Sequence, residues 1–112
     1  MLHLAPHPDL KTIQEYVYEL KKERGFLNNS LQQECLLLGE EVGELFKAVR
    51  KQQDMKLDTK STVGSVDEEL ADILIYLCSI ANHLEIDLEQ ALRSKEEANK
   101  QRTWTVGSQP TS

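Results

Sequence analysis

Two stretches of this sequence, 31–52 and 67–84, repeat apolar residues with the period of an α-helix, and each also carries a pair of acidic residues close to its apolar face. With about 100° of rotation per residue, Glu41 projects from inside the apolar arc of the first stretch, and Glu44 stands roughly 60° away at its edge. Glu69 and Asp72 repeat this layout in the second stretch. The sequence therefore predicts two long helices that pack together with carboxylates along their seam. The arcs consist of Leu37, Leu38, Val42, Leu45, Ala48 and Val49 in the first stretch and Leu70, Ile73, Leu74, Leu77, Ile80 and Ala81 in the second.

Four carboxylates in such a seam indicate a metal site. An ionised carboxylate without a partner in an apolar seam costs several kcal/mol, so it binds a cation or takes up a proton. The oxygen-only ligand set suits Mg²⁺, with Mn²⁺ as a substitute, and no His or Cys cluster nearby would suit zinc. One such pair alone is more typical of a solvated helix face or of a helix start favoured by the macrodipole. Because the pair occurs twice, we predict that Glu41, Glu44, Glu69 and Asp72 hold Mg²⁺, whereas Glu40 points away from the arc.

The length of 112 residues predicts a single domain, 1–112, with its core at about 9–104 and a flexible tail at 105–112. A helical chain of this size buries a limited core and commonly extends it through an oligomer interface. In the second of the two stretches, Ala71, Ile75 and Cys78 add apolar character outside the main face. A helix that is apolar nearly all round is buried on several sides, so we expect a homodimer or homotetramer.

Charge and cysteine usage exclude several classes of protein. The net charge of −6 and the pI near 5.0 argue against binding polymeric nucleic acid through a basic surface. Without the four proposed ligands the net charge would be −2, so much of the acidity belongs to the site itself. Cys35 and Cys78 have no disulfide or metal spacing and are predicted to be small buried hydrophobes. The start of the chain does not resemble a signal peptide, and the apolar run at 70–84 is too short for a membrane span, so we predict a cytoplasmic protein without a membrane partner.

Start and stop signals divide the chain into four helices, which predicts an all-α fold. The first begins at Pro8-Asp9 and ends before Gly25, a residue suited to a left-handed turn. Capping-box patterns open the second and third helices, and a similar pattern opens the fourth, which runs to about Arg102. The polar stretch 53–64 is predicted to be a long mobile loop beside the carboxylates. The capping pairs are Ser30 with Gln33, Ser65 with Glu68, and Asp87 with Gln90.

The carboxylate motifs resemble those of a known family. The sequence Gly39-Glu40-Glu41-Val42-Gly43-Glu44-Leu45, followed by Glu69-Leu70-Ala71-Asp72-Ile73-Leu74, is similar to the paired signature of the MazG-like all-α nucleoside triphosphate pyrophosphohydrolases. This resemblance implies a four-helix MazG-like bundle and cleavage of a (d)NTP between the α and β phosphates, which gives the (d)NMP and pyrophosphate. It also implies that the four carboxylates are magnesium ligands. One of them, or Glu40 or Glu68, would take the proton of the attacking water.

The fourth helix offers cations for a polyanionic substrate. Lys95, Asn99 and Arg102 follow one another at i, i+4 and i+7, on the face that begins with Leu88. They resemble phosphate-contacting residues near the end of the family's core, which implies that Lys95 and Arg102 bind phosphate and that Asn99 orients the nucleotide. The alternative is a solvated helix end whose cations complement the macrodipole.

Base recognition is less specific in the sequence. Phe26 and Trp104 lie at helix ends where they could stack on a base, and Tyr76 is a third candidate, although such aromatic residues more often pack in a core. Asn28, Asn29 and Gln33 could read a base or sugar, or could cap the second helix. The three histidines, at positions 3, 7 and 83, have no ligand spacing and are predicted to be incidental.

Other functions remain open from the sequence. A non-catalytic helical interaction module would use the same acidic pairs to bind a basic partner, and would leave the carboxylates exposed. Within the family, phosphoribosyl-ATP pyrophosphohydrolase has the same chemistry, although the Glu-Val-Gly-Glu-Leu context is closer to nucleotide house-cleaning members, which act on surplus or non-standard deoxynucleotides. A ferritin-like carboxylate bundle expects Glu-x-x-His ligands, which this sequence lacks.

Overall fold

The computed structural model describes residues 2–60 and 62–102, together with the backbone of 105–106 and 109–110. Its elements are α1 (Leu10–Glu23), α2 (Leu31–Gln52), α3 (Val66–His83), α4 (Leu88–Lys100), β1 (Thr105–Val106) and β2 (Gln109–Pro110). The predicted all-α fold of four helices is confirmed. The strands form a two-residue antiparallel pair, with Thr105 opposite Pro110, which the sequence patterns did not predict.

Both ends of α1 follow the predicted signals. The Asp9 carboxylate accepts a hydrogen bond from the Thr12 N–H at 2.7 Å, which satisfies one of the free amides of the first turn. At the other end Gly25 has φ 79°, a left-handed conformation that glycine adopts without a steric penalty. The Phe26 N–H then turns back to the Lys21 carbonyl at 2.8 Å, as in a Schellman motif. This turn places Phe26 beside the end of its own helix.

The other three helices also begin at their predicted caps. Ser30 and Gln33 form a complete capping box, since the N–H of each donates to the side chain of the other, at 2.7 and 3.1 Å. At α3 the Ser65 hydroxyl accepts from the Glu68 N–H and donates to the Glu68 carboxylate at 2.9 Å. Asp87 caps α4. The predicted bounds of α2 are confirmed, and α4 ends two residues before Arg102.

The core lies where α1 meets α3, while α2 packs along α3 and α4 packs mainly against α1. Val17, Leu20 and Cys78 are its buried centre. The prediction that Cys78 is buried is confirmed, but the same prediction for Cys35 is wrong, because Cys35 lies on the outward side of α2 and is exposed. Partly buried residues complete the core: Leu2, Ile13, Tyr16, Ile75 and Leu88.

A partly buried polar network ties α1 to the connection between α3 and α4. The Gln14 amide donates to the Asn82 side chain at 3.2 Å and to the Ile86 carbonyl at 2.9 Å. Its oxygen accepts from the Leu88 N–H at 2.9 Å, and Asn82 donates to the Gln14 carbonyl at 2.9 Å. Gln14 therefore satisfies a free amide at the first turn of α4, which fixes where that helix leaves the core.

Much apolar surface lies outside this core. Leu70, Leu74 and Leu77 form a row on α3 and are 41–52% exposed. Leu36 and Phe46 on α2 are exposed as well. In the part of the chain that the structure describes, no helix has the length and apolar character needed to cross a membrane.

Candidate metal centre

Three of the four predicted carboxylates come together between α2 and α3. Glu41, Glu69 and Asp72 each contribute an oxygen to a group whose members all lie within 4.8 Å of one another. Glu69 and Asp72 stand one turn apart on α3, and Glu41 faces them from α2 because both helices present these positions at the seam. Glu69 is buried, Glu41 is half-buried and Asp72 is exposed, so the group opens to solvent on one side.

The crowding of negative charge changes the titration of Glu41. Burial is the largest cause, and a hydrogen bond with Glu69 and repulsion from Asp72, Glu69 and Glu40 add to it. Together they raise the pKa of Glu41 to about 7. Each cause disfavours the ionised carboxylate. Without a cation, Glu41 therefore keeps a proton up to about neutral pH.

This group fits a hard divalent cation. Its ligand atoms are all carboxylate oxygens, which Mg²⁺ and Mn²⁺ prefer, and the group contains no His or Cys ligand. A bound cation would replace the proton on Glu41 and offset the repulsion among the three carboxylates. The open side of the group leaves room for water and for phosphate oxygens, as Mg²⁺ sites usually require.

Glu44, the fourth predicted ligand, does not join this group. Its carboxylate lies 3.7 Å from the Lys47 ammonium, one turn further along α2. It is half-buried at the edge of the seam, as its helical position predicts. Its role as a metal ligand stays a prediction.

Gly64 is a site residue that the sequence patterns missed. It lies at the end of the connection between α2 and α3, and a Cβ atom built on it would collide with the Glu69 carboxylate. The backbone at this position therefore passes directly over the site. The sequence signal available was a glycine immediately before the α3 cap, which is common in loops for other reasons.

The predicted substrate residues of α4 are not brought to the carboxylates within one chain. In the described part of the molecule α4 packs mainly against α1, whereas the metal group lies between α2 and α3. Lys95 and Arg102 are exposed. The Asn99 side-chain oxygen is enclosed and accepts no hydrogen bond from the described residues. Trp104 lies outside the described residues.

A second charged cluster, not predicted from the sequence, lies beside the carboxylates. Glu34 on α2 is fully buried, and its carboxylate is 3.6 Å from the Lys21 ammonium. That ammonium lies 4.4 Å from the centre of the Tyr76 ring and 5.5 Å from that of Phe26. The pKa of Tyr76 is raised by burial first and then by the charges of Glu34, Glu41, Asp72 and Glu40, so residues of both acidic clusters act on its hydroxyl.

The remaining candidates divide between capping and an adjacent cavity. Gln33 caps α2, as one of the two sequence interpretations predicted. Asn28 and Asn29 belong to the turn before that cap. Phe26, predicted to stack on a base, and His83, predicted to be incidental, both line a cavity at the Glu34 end of the helices.

The chain is similar to known proteins in sequence and in fold. The model of the MazG nucleotide pyrophosphohydrolase domain matches residues 29–106. The chain is 33% identical to mouse dCTP pyrophosphatase 1 and 32% identical to the rat protein of that name, in each case over 103 residues and 88% of this chain. It spans 61% of the length of these curated relatives.

Two crystal structures of iMazG from Vibrio DAT 722, with different tags, superpose on this chain with TM-scores of 0.60 and 0.59. Both are 32% identical to this chain and cover 83% of it, and the match includes 99% and 95% of the respective iMazG chains. The chain belongs to the MazG nucleotide pyrophosphohydrolase domain family.

Proposed function

We propose that this protein is a Mg²⁺-dependent pyrophosphohydrolase that cleaves nucleoside triphosphates to the monophosphate and pyrophosphate. One observation carries the proposal: three carboxylates from two helices converge in a partly buried group, inside a domain of a pyrophosphohydrolase family. An interaction module would be expected to expose its carboxylates, whereas Glu69 is only 8% exposed.

Glu41, Glu69 and Asp72 would hold the ion, and Glu44 would join them by a rotation of its side chain away from Lys47. A Mg²⁺ ion bound there would supply positive charge to the phosphate oxygens and would lower the pKa of the attacking water. One of the four carboxylates, or Glu40 or Glu68 beside them, accepts the proton of the attacking water. Gly64 keeps the backbone close enough to hold the Glu69 carboxylate in place.

Lys95 and Arg102 would bind the phosphates, while Asn99 orients the nucleotide and Phe26 and Trp104 contact its base. We propose that α4 reaches the carboxylates of a second subunit in a homodimer or homotetramer. The exposed leucines of α3 support assembly, because a row of half-exposed leucines is costly in a monomer.

Replacing Lys95 with Ala should then raise KM more than it lowers kcat.

The substrate would be a deoxynucleotide, and the role nucleotide-pool house-cleaning in the cytoplasm. The similarity to proteins named dCTP pyrophosphatase 1 supports this choice over phosphoribosyl-ATP. The acidic surface supports a free nucleotide as substrate over polymeric nucleic acid.

The test is pyrophosphate release from a panel of canonical and modified NTPs and dNTPs, measured with Mg²⁺ and with EDTA. Wild type should release pyrophosphate only with the metal, and Glu41→Gln should lose at least about 100-fold in kcat/KM, since a catalytic metal supplies several kcal/mol. Glu23→Gln, on the exposed end of α1, is the matched control and should keep full activity. If no nucleotide is cleaved, phosphoribosyl-ATP is the next substrate to try. Failure there too would favour the interaction module.

A further inference from the structure

A cavity of about 220 Å³ lies between the end of α1, the turn that follows it, the first turns of α2 and the last turns of α3. Phe26 stands at its rim, half exposed, and Glu34, Asn82 and His83 are among the residues that line it. Drug-sized ligands occupy sites of roughly 300–1,000 Å³, so this cavity suits a smaller group such as a single heterocyclic ring system.

The Glu34 carboxylate can accept hydrogen bonds, but no described residue donates one to it. It is 0% exposed, and neither of its oxygens accepts a hydrogen bond from the described residues. Lys21 balances its charge, but at 3.6 Å the pair is too long for a hydrogen bond. A buried carboxylate has about four acceptor sites, and leaving them empty is costly. The cavity therefore contains a strong hydrogen-bond acceptor that a bound ligand could satisfy.

The cavity lies one nucleoside length from the metal group. Glu34 precedes Glu41 by seven residues on α2, which is roughly 10 Å along the helix axis. Ser79, another lining residue, follows Asp72 by seven residues on α3. Because α2 and α3 run antiparallel, both displacements point the same way. Tyr76 lies between the two places, in the field of Glu34 and of Asp72.

We infer that this cavity takes the base of the nucleotide and that Glu34 selects bases with an exocyclic amino group. The inference rests on the proposed function, since it requires phosphates at the carboxylates. Cytosine, adenine and guanine each carry an amino donor that a carboxylate can accept from, and guanine adds a ring N–H beside it. Uracil and thymine place carbonyl oxygens on both sides of their one N–H, which would face the carboxylate and repel it. Phe26 at the rim offers a ring face to any base.

The experiment compares kcat/KM for dCTP, dATP and dGTP with the values for dUTP and dTTP. Wild type should favour the amino-bearing group by roughly 5- to 150-fold, the discrimination of one good side-chain contact to a base edge. Glu34→Gln should lose most of that preference, because an amide both donates and accepts and can pair with a carbonyl-bearing edge. Glu23→Gln, an exposed change of the same chemistry, should keep it.

Two further measurements separate this inference from the proposed function. The double variant Lys21→Met/Glu34→Gln removes both buried charges, so selectivity can be read even if Glu34→Gln alone folds poorly. Binding of dCMP and dUMP, measured by calorimetry in EDTA, tests the cavity without turnover.

A preference for dCMP without any turnover would support the cavity assignment while the pyrophosphohydrolase proposal fails. Turnover at equal kcat/KM for both groups of bases would overturn the assignment while the proposed function stands. Absence of both binding and turnover would overturn both.

Discussion

Glu41 shows how a single residue can carry both the sequence signal and the chemistry. Its place inside an apolar arc marked it in the sequence, and burial in that arc is the main reason that its pKa rises to about 7. Glu69 and Asp72 were predictable for the same reason, since helical spacing fixes direction. The burial of Glu34 was not predictable, because an acidic residue in the first turn of a helix normally lies there to interact with the macrodipole. Only the approach of Lys21 and Tyr76 from other helices reveals that it is buried.

The raised pKa of Glu41 predicts an unusual dependence of stability on pH. In the metal-free protein the folded state holds a proton on Glu41 up to about pH 7, whereas the unfolded state releases it near pH 4.5. The contribution of this group to stability is therefore present below pH 4.5 and is lost as the pH rises to about 7. Glu41→Gln should then be more stable than wild type in EDTA at pH 8 and equal to it near pH 4.

Thermal unfolding of both proteins at the two pH values measures this difference. Added Mg²⁺ should reverse the order at pH 8 once it stabilises wild type by about 4.1 kcal/mol, at 1,000 times its Kd, and the variant much less. A variant less stable than wild type in EDTA at pH 8 would contradict the assigned charge repulsion.

Gly64→Ala tests the backbone passage over Glu69. The added methyl group collides with the end of a flexible side chain, which can move, so the fold should survive while the carboxylate leaves the metal group. Mg²⁺ affinity should fall roughly 10- to 100-fold, as when other residues that orient metal ligands are changed. Isothermal titration with Mg²⁺ measures this change. Gly39→Ala, where a Cβ meets nothing within 4 Å, is the control and should keep its affinity for Mg²⁺.

At the scale of elements, the helix starts were predictable because each depends on local hydrogen bonds within three residues. Ser30 and Asp87 cap their helices as the patterns indicated. The strand pair at 105–106 and 109–110 was not predictable from the sequence, since two-residue strands carry no periodicity. The contact between α1 and α4 was also beyond prediction, because Gln14 is one polar residue among many on α1 and its partners lie about 70 residues away.

Gln14→Leu should loosen this contact. The change keeps the bulk of the side chain but leaves the partly buried Ile86 carbonyl and Leu88 N–H without their partner. A polar group that is removed from water without a hydrogen bond costs about 1–3 kcal/mol. We expect the free energy of unfolding to fall by at least about 2 kcal/mol. Urea denaturation measures it. Gln32→Leu, on an exposed part of α2, should change it by less than about 0.5 kcal/mol, and equal losses in both variants would argue against the network.

At the scale of the whole molecule, the single chain is more extended than a compact domain. Its radius of gyration is 17.8 Å, whereas a compact chain of this length has about 13 Å. Several apolar residues of α3 lie outside the core, and we expect an oligomer because a second subunit could cover them. The sequence already indicated this through the apolar character of the helix.

Leu74→Asp tests assembly directly. The side chain is 41% exposed in the single chain, so a charge there should cost little within one subunit but should break an interface built on this row. Sedimentation velocity should show an oligomer for wild type and a monomer for the variant. Gln32→Asp adds the same charge on the exposed polar side of α2 and should leave the oligomer intact. A monomeric wild type at micromolar concentration would contradict the proposal.

The attachment of α4 through Gln14 has a consequence for amide hydrogen exchange. No residue of Leu88–Lys100 is buried, and the helix is hydrogen-bonded to Gln14 at its first turn. In an isolated subunit, amides should therefore exchange progressively faster from Ala91 towards Lys100, because a helix without buried residues frays towards its C-terminal end. Exchange measured by mass spectrometry across a dilution series would show that gradient flatten wherever a second subunit covers the helix. A gradient that stays the same at every concentration would mean that α4 remains uncovered.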